Sequence, residues 1–149
     1  LLSTFVEGET REIARMHAAV AKEVAATGLP LKPPACLITG GETTVTLRGK
    51  GLGGRNQEFA LAAGMDIAGL KNVVVLSGGT DGTDGPTDAA GGVVDGETVR
   101  RAQAQGINPR QFLDANDSYH FLEKTDGLLV TGPTNTNVMD IRLVLVGLQ

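Results

Sequence analysis

The chain has 149 residues, of which 41% are hydrophobic and 20% charged, and its formal net charge is −4. This length suits one domain with a buried core, and the composition is typical of a globular protein rather than a disordered one. The acidic balance and the lack of a basic patch interleaved with aromatic residues argue against nucleic acid as a partner.

The sequence also limits the compartment and the redox chemistry. No apolar stretch approaches the ~20 residues of a membrane-spanning helix, and no signal peptide is evident, so we expect no membrane partner and a cytoplasmic location. One cysteine excludes an internal disulfide framework. Cys36 stands in the apolar run 35–38, which favours a buried structural thiol. The first residue is leucine rather than an initiator methionine, so we expect the chain to be a fragment.

The first half of the chain predicts a long helix followed by strands. Residues 9–27 lack proline and glycine and repeat apolar residues at helical spacing, which indicates an amphipathic helix. His17 lies beside that apolar stripe, and we interpret it as a surface histidine rather than a catalytic one. A buried strand is predicted at 35–39 and a half-exposed strand at 43–48, before a helix that begins near residue 57.

The second half continues the alternation of strand and helix. The continuous β-branched run 73–77 predicts a central strand of the kind found in parallel sheets. Further helices are predicted at 97–105, 109–113 and 119–124, and further strands at 128–131 and 141–146. We therefore expect an α/β fold: a single three-layer domain over 1–149, with a mixed, mostly parallel sheet and helices on both faces.

The most informative segment is the loop 77–92, SGGTDGTDGPTDAAGG, which precedes a predicted helix. It is far longer than the ~2–6 residues of most connections. Its aspartates, Asp81, Asp84 and Asp88, could supply hard oxygen ligands or bases, and its glycines allow close approach of backbone to a ligand. Clustered carboxylates need a compensating cation or donors. Two uses remain open: binding Mg²⁺ together with substrate phosphates, and capping turns and the next helix.

Two further polar loops, 49–57 and 131–137, also follow predicted strands. Ligands of open α/β sheets gather at the carboxyl ends of the strands, so parallel strands would place all three loops at one edge. The GxGxxG pattern in the first loop is weak as a dinucleotide fingerprint, because the preceding strand is half polar. The free amides of a helix N-terminus, with Lys50 and Arg55, favour an anion, although Lys50 could equally be a solvated surface lysine.

Five sequence blocks occur in order: GGETTV (40–45), GGRNQE (53–58), TDGTDGPTDAAG (80–91), NDSY (116–119) and TGPTNTNV (131–138). With these blocks the chain resembles the C-terminal, MOFRL, domain of bacterial-type glycerate 2-kinases over essentially its whole length. The resemblance implies phosphoryl transfer from ATP, with Mg²⁺, to glycerate or a similar 2-hydroxy acid. The active site would lie in a cleft between this domain and a larger N-terminal domain that the chain lacks, so little or no kinase activity is expected from the chain alone.

Two other functions stay open beside the kinase. Relatives have been labelled hydroxypyruvate reductases, which makes an NAD(P)H-dependent oxidoreductase an alternative. The chain could also be a non-catalytic domain that binds a small anion.

The resemblance also implies which residues form the site. The family's arginine corresponds to Arg55 and its acidic loop to Asp81, Asp84 and Asp88, all expected to act in catalysis, with Asp81 and Asp84 also candidate metal ligands. Contacts to substrate or phosphate are expected from Lys50, Gly53, Gly54, Asn56, Thr80, Thr134, Thr136 and Asn137. Asn135 replaces the family's usual glycine; if that position needs a positive φ, asparagine tolerates it best.

Overall fold

Helices and strands alternate irregularly along the computed structural model, which describes residues 1–147. In chain order the elements are α1 (Thr10–Thr27), β1 (Ala35–Gly41), α2 (Arg55–Asp66), β2 (Val73–Gly79), β3 (Gly91–Asp95), α3 (Thr98–Ala104), α4 (Pro109–Asp114), α5 (Ser118–Lys124), β4 (Leu128–Leu129) and β5 (Asp140–Val146).

The predicted helices are confirmed to within a few residues. Helix α1 ends where Gly28 adopts a left-handed conformation with φ 74°, which glycine allows without strain. Helix α4 begins with Pro109, and the side chain of Asn108 accepts a hydrogen bond from the Arg110 N–H at 3.0 Å. Among the helices of residues 1–147, none is both long and apolar enough to cross a bilayer.

The prediction of a mostly parallel sheet is wrong. The five strands lie in the order β1-β5-β2-β3-β4, and every neighbouring pair is antiparallel. Strand β3 was not predicted, because its first residues, Gly91 and Gly92, are read from sequence as part of the polar loop. The loop after β2 therefore spans only 80–90 and returns the chain as a hairpin instead of leading into a helix.

The predicted strand at 43–48 is also wrong. Only Thr44 of that segment forms a β-bridge, to Glu9, and the remainder has no regular structure. Its threonines are used locally: Thr46 Oγ1 donates to the Glu9 carboxylate at 2.8 Å, and Thr43 Oγ1 donates to Thr10 at 3.1 Å. The alternation of threonine with apolar residues thus reflects packing against the start of α1 rather than a place in the sheet.

The helices cover one face of the sheet, so the domain has two layers and not the predicted three. All five helices contribute side chains to a single core, together with Leu37, Val73, Val75, Val94 and Val144 from the sheet. These strand residues alternate with less buried ones, and the pairing register places them on the same side. Helix α2 lies at the centre of this layer and contacts β2, β3 and the other four helices.

Two side-chain predictions are reversed by the structure. His17 is only 2% exposed and not at the surface; its Nδ1 lies 2.8 Å from the Ile13 carbonyl and its Nε2 lies 2.8 Å from Thr39 Oγ1. A carbonyl can only accept, so Nδ1 carries a proton, and the Thr39 hydroxyl is the partner of Nε2. Cys36 is exposed instead of buried, because strand alternation turns it away from the helices.

Burial lowers the pKa of His17. The unfolded chain therefore takes up a proton below its ordinary pKa of about 6.5, whereas the folded protein resists it. We expect the free energy of unfolding to fall as the pH drops from about 6.5 towards the lowered pKa, and His17→Gln to remove that part of the slope. Urea unfolding of both proteins between pH 5 and 8 measures this; equal slopes in the two proteins would contradict it.

Candidate functional site

The loops that follow β1, β2 and β4 lie at one edge of the sheet. These three strands run in the same direction, because each is separated from the next by one antiparallel strand. The ends of β1 and β2 both pair with the first residue of β5: Gly41 and Gly79 are each opposite Asp140. We call this the loop edge; it is formed by residues 42–54, 80–90 and 130–139, which we call the first, the middle and the third loop. The expected meeting of the three polar loops is present, although the sheet is antiparallel.

Arg55, the first residue of α2, is fixed at the loop edge by two carboxylates. Its Nε donates to Asp140 Oδ2 at 2.7 Å and one terminal nitrogen donates to Asp140 Oδ1 at 3.0 Å. The other terminal nitrogen lies 3.0 Å from Glu42 Oε1. The hydrogen bonds that Arg55 donates to the Asp140 carboxylate raise the pKa of Arg55. The side chain is 34% exposed, so a permanently charged guanidinium is held in one orientation and remains in reach of solvent.

The carboxylate of Asp140 is fully buried and is shared between two arginines. Besides the bonds from Arg55, it accepts from Asn56 Nδ2 at 2.9 Å and from an Arg142 terminal nitrogen at 3.1 Å. Arg142 also donates to Thr43 Oγ1 at 3.0 Å, and burial lowers its pKa. Among residues 1–147, its Nε and its second terminal nitrogen have no hydrogen-bond partner.

Neither Asp140 nor Arg142 was predicted from the sequence as part of the site. One sequence feature could have indicated them: charged residues at alternate positions of the otherwise apolar strand DIRLVLV. Strand alternation places both residues on the face of the sheet that carries the core. A charge buried there is costly unless it is paired, so two opposite charges at these positions indicate an ion pair inside the protein.

Asp84 caps helix α2 from the middle loop and is 97% buried. Its Oδ1 accepts from the Asn56 amide at 3.1 Å, and its Oδ2 accepts from the Gln57 amide at 2.9 Å. Burial raises the pKa of the Asp84 carboxyl, and the hydrogen bonds from α2 oppose that rise. The expectation that free amides at this helix N-terminus await an anion is therefore wrong for these two amides, because a protein carboxylate already binds them.

Asn56 links the buried groups of the loop edge. Its Nδ2 donates to Asp84 at 3.2 Å as well as to Asp140, and its Oδ1 accepts from the Ser77 hydroxyl at 2.6 Å. The side chain is buried and its polar atoms are all bonded within the protein. Asn56 thus joins α2, β2, β5 and the middle loop.

The glycines of the first loop serve contact with the protein itself. A Cβ on Gly49 would lie 2.2 Å from the Ala115 carbonyl, one on Gly53 would lie 2.3 Å from Ser118 Oγ, and one on Gly54 would meet the Asp84 carboxyl at 2.3 Å. The loop needs these glycines to pack against the start of α5 and against Asp84. Lys50, between two of them, is exposed.

The middle and third loops are bonded to each other. The Thr134 amide donates to the Asp81 carbonyl at 3.2 Å, the Thr134 hydroxyl donates to the Thr80 carbonyl, and Asn137 Nδ2 lies 3.4 Å from Asp81 Oδ2. Between them, Asn135 has φ 60°, the conformation that asparagine tolerates in place of glycine.

Asp88 lies apart from this group, whereas Thr136 is bonded to Thr134 within it. Asp88 is exposed and accepts a hydrogen bond from the Tyr119 hydroxyl at 2.9 Å, on α5, while the Thr136 carbonyl faces Thr134 Oγ1 at 3.3 Å.

A cavity of about 450 Å³ opens beside Arg55. This volume is within the range of small-molecule sites. Of the predicted residues, Gly53, Gly54, Arg55 and Asp84 line it. Residues that were not predicted as part of the site form the rest of its wall, among them Glu42, Leu47, Glu58, Asn116 and Ser118. The remaining predicted residues surround the loop edge outside this cavity.

Comparison with known proteins identifies close relatives. The sequence model of the MOFRL family matches residues 35–140. A D-glycerate 2-kinase of Thermotoga maritima is 51% identical over 98% of this chain and 35% of its own length, and a glycerate 2-kinase of Pyrococcus horikoshii is 46% identical over 98% and 33%. A protein of Agrobacterium vitis that carries the name hydroxypyruvate reductase is 43% identical over 99% and 39%.

Solved structures agree with the sequence comparison. The crystal structure of a glycerate kinase from Thermotoga maritima superposes with a TM-score of 0.96 at 52% identity, covering 97% of this chain and 35% of that chain. The chain therefore spans about one third of the length of the relatives it matches.

Replacing Asp84 by alanine should destabilise the fold. The substitution leaves two buried backbone amides of α2 without an acceptor and removes one of the two acceptors of Asn56 Nδ2, so we expect the free energy of unfolding to fall by about 2–4 kcal/mol. Asp88→Ala removes an exposed carboxylate of the same loop and should change stability by less than about 0.5 kcal/mol. Urea denaturation of both variants measures the difference; equal losses would show that Asp84 does not cap the helix.

Proposed function

Because the chain belongs to the MOFRL family, we propose that it is one domain of an ATP-dependent glycerate 2-kinase. It supplies one wall of a cleft in which a phosphoryl group passes to a 2-hydroxy acid, and the larger part of a longer polypeptide supplies the other. The names of the two thermophile relatives and their threefold greater length support this proposal.

The observation that carries the proposal is the orientation of Arg55. A guanidinium can bind a carboxylate or a phosphate through two parallel hydrogen bonds, which makes it suited to glycerate and to a transferred phosphoryl group. Asp140 holds the Nε edge of Arg55 from inside the protein, while exposed Glu42 contacts the outer nitrogen at 3.0 Å. A bound anion would take the place of Glu42, since that carboxylate is 54% exposed and free to turn towards water.

Phosphoryl transfer depends mainly on positioning and on neutralising charge, which suits a site divided between two walls. In this proposal Arg55 stabilises the negative charge of the phosphoryl group or of the glycerate carboxylate. The remaining oxygens of substrate and phosphate are bound by other groups of the loop edge. These groups belong to Lys50, Gly53, Gly54, Thr80, Thr134, Thr136 and Asn137. Asp84 and Asn56 act by fixing the start of α2, and thereby the position of Arg55.

Mg²⁺ would be bound by few protein ligands. Among residues 1–147, no group of three or more histidine, cysteine or acidic side chains is placed to hold a metal ion. Mg²⁺ at phosphate-transfer sites is usually held by one or two carboxylates and by the phosphates themselves, so this arrangement fits it. Asp81 is the better candidate, because Asp84 is 97% buried with both oxygens bonded to backbone amides of α2, whereas the side chain of Asp81 is only partly buried. The ion would supply neutralisation of phosphate charge, and exposed Asp88 could orient the substrate hydroxyl.

A hydroxypyruvate reductase is the second candidate, favoured by the name of the Agrobacterium vitis relative. Such an enzyme would need a site for a nicotinamide dinucleotide. The GxGxxG segment packs its first two glycines against residues 115–117 and its third, Gly54, against Asp84. Asp84 also accepts hydrogen bonds from the backbone amides of Asn56 and Gln57, so these groups are not available to a pyrophosphate. Loss of NADH absorbance with hydroxypyruvate, without phosphorylation of glycerate, would favour the reductase.

Replacing Arg55 by alanine tests the kinase assignment. In the longer polypeptide we expect kcat/KM for D-glycerate with ATP and Mg²⁺ to fall by about 100- to 1,000-fold, since a cation at the transferred charge is lost. Arg101→Ala, which removes an exposed arginine of α3 that pairs with Asp95, is the matched control and should leave the rate unchanged. An Arg55→Ala variant with the unmodified rate would contradict the assignment.

A further inference from the structure

The sheet face opposite the helices carries a layer of aliphatic side chains. Alternate residues of β1, β5, β2 and β3 point to this side, because their neighbours point into the core. We call it the open face; its residues are Cys36, Ile38, Val74, Leu76, Val93, Ile141, Leu143 and Leu145. None of them belongs to the core beneath the helices.

The pairing register makes these residues one continuous patch. Ile38 lies opposite Leu143, Leu143 opposite Leu76, and Leu76 opposite Val93, which forms one row across four strands. Cys36, Leu145 and Val74 form the next row, which ends at Asp95 on β3. Directly opposed residues have Cβ atoms about 4.5–5.5 Å apart, so the rows leave no polar gap between strands.

The residues of the open face are more exposed than those on the face beneath the helices, although both sets are mainly aliphatic. Leu143 and Leu145 are partly exposed, and Ile141 is 38% exposed, whereas Val144 and Val146 on the same strand are at most 1% exposed. The eight residues include no charged side chain; Asp95, at the end of a row on β3, lies at the rim of the patch and pairs with Arg101. Contiguous apolar patches of this kind mark contact surfaces, and absence of charge at their centre is typical of permanent contacts.

We propose that the open face is covered by apolar side chains from the remainder of a longer polypeptide, which makes the sheet the middle layer of three. The length of the relatives supports this occupant: about two thirds of each lies outside the region that this chain matches. An antiparallel sheet with one solvated face alternates apolar with polar residues, whereas β5 and β2 carry aliphatic residues on both faces, the pattern of strands that are buried on both sides. The inference shares with the proposed function the premise of a longer polypeptide.

The open face is continuous with the loop edge. A groove of about 360 Å³ lies between them, lined by Ile38 and Ile141 from the open face and by Thr80, Val138 and Met139 from the loops. Val138 and Met139 are 69% and 46% exposed. A covering layer that fills this groove would also fix the third loop, and it would connect the cover of the sheet to the second wall of the cleft.

The only cysteine of the chain reports directly on the open face. Cys36 is exposed there and should react rapidly with a small aromatic disulfide reagent in the 149-residue chain. In the longer polypeptide we expect Cys36 to be labelled more slowly by about 100-fold or more, because the reagent reaches the thiol only when the covering layer opens locally. Mass spectrometry of the peptide that contains Cys36 measures the rate. Gln103→Cys in a Cys36→Ser background places the matched thiol on exposed α3 and should label rapidly in both proteins.

A pair of substitutions on adjacent residues gives an independent test. Leu143→Glu faces the open side, so the 149-residue chain should keep its melting temperature while the longer polypeptide loses cooperative melting. Val144→Glu places a carboxylate in the core and should unfold both proteins.

The outcomes separate this inference from the proposed function. Rapid labelling of Cys36 in the longer polypeptide overturns the inference even if glycerate is phosphorylated. Protection that appears in the 149-residue chain as its concentration rises, with a doubled mass, also overturns it, because a second copy is then the cover. Protection confined to the longer polypeptide supports it, whether or not that protein phosphorylates glycerate.

Discussion

The buried carboxylate of Asp140 is the group on which the loop edge depends. It stands where β5 begins, opposite the ends of β1 and β2, and binds Arg55, Asn56 and Arg142. A buried charge is costly unless each of its lone pairs has a donor, and here each oxygen accepts two hydrogen bonds. Arg142 shares the charge of Asp140 with Arg55, and the other carboxylate that contacts Arg55, that of Glu42, is exposed, so Arg55 keeps cationic character towards an outside anion. Arg142 connects the same carboxylate to Thr43 in the first loop.

Local patterns predicted the helices and the polar loops but not the direction of the strands. Helical spacing, Gly28 and Pro109 fixed α1 and α4, because those rules act within a few residues. Strand direction depends on which segments meet across the sheet, and β3 begins with two glycines that resemble loop sequence. The three loops nevertheless meet at one edge, since β1, β2 and β4 run in the same direction within an antiparallel sheet.

Sequence placed Arg55 and Asp84 in the candidate site but misjudged what surrounds them. Glycines near Arg55 suggested room for a phosphate, whereas the structure uses them for close packing against residues 115–118 and Asp84. Asp140 and Arg142 went unnoticed because they lie in a strand that is otherwise aliphatic. His17 is buried because Thr39 and a helix carbonyl satisfy its ring. Such partners are distant in sequence, so a periodicity pattern gives no information about them.

A double-mutant cycle on Arg55 and Asp140 tests the central claim most directly. The claim is that Asp140 serves phosphoryl transfer by orienting Arg55, and the quantity to measure is kcat/KM for ATP-dependent phosphorylation of D-glycerate by the longer polypeptide. If Asp140 acts through Arg55, Asp140→Asn should lower the rate in the unmodified protein but have little further effect once Arg55 is alanine. Losses that multiply in the double variant would show that the two residues act independently and would contradict the account.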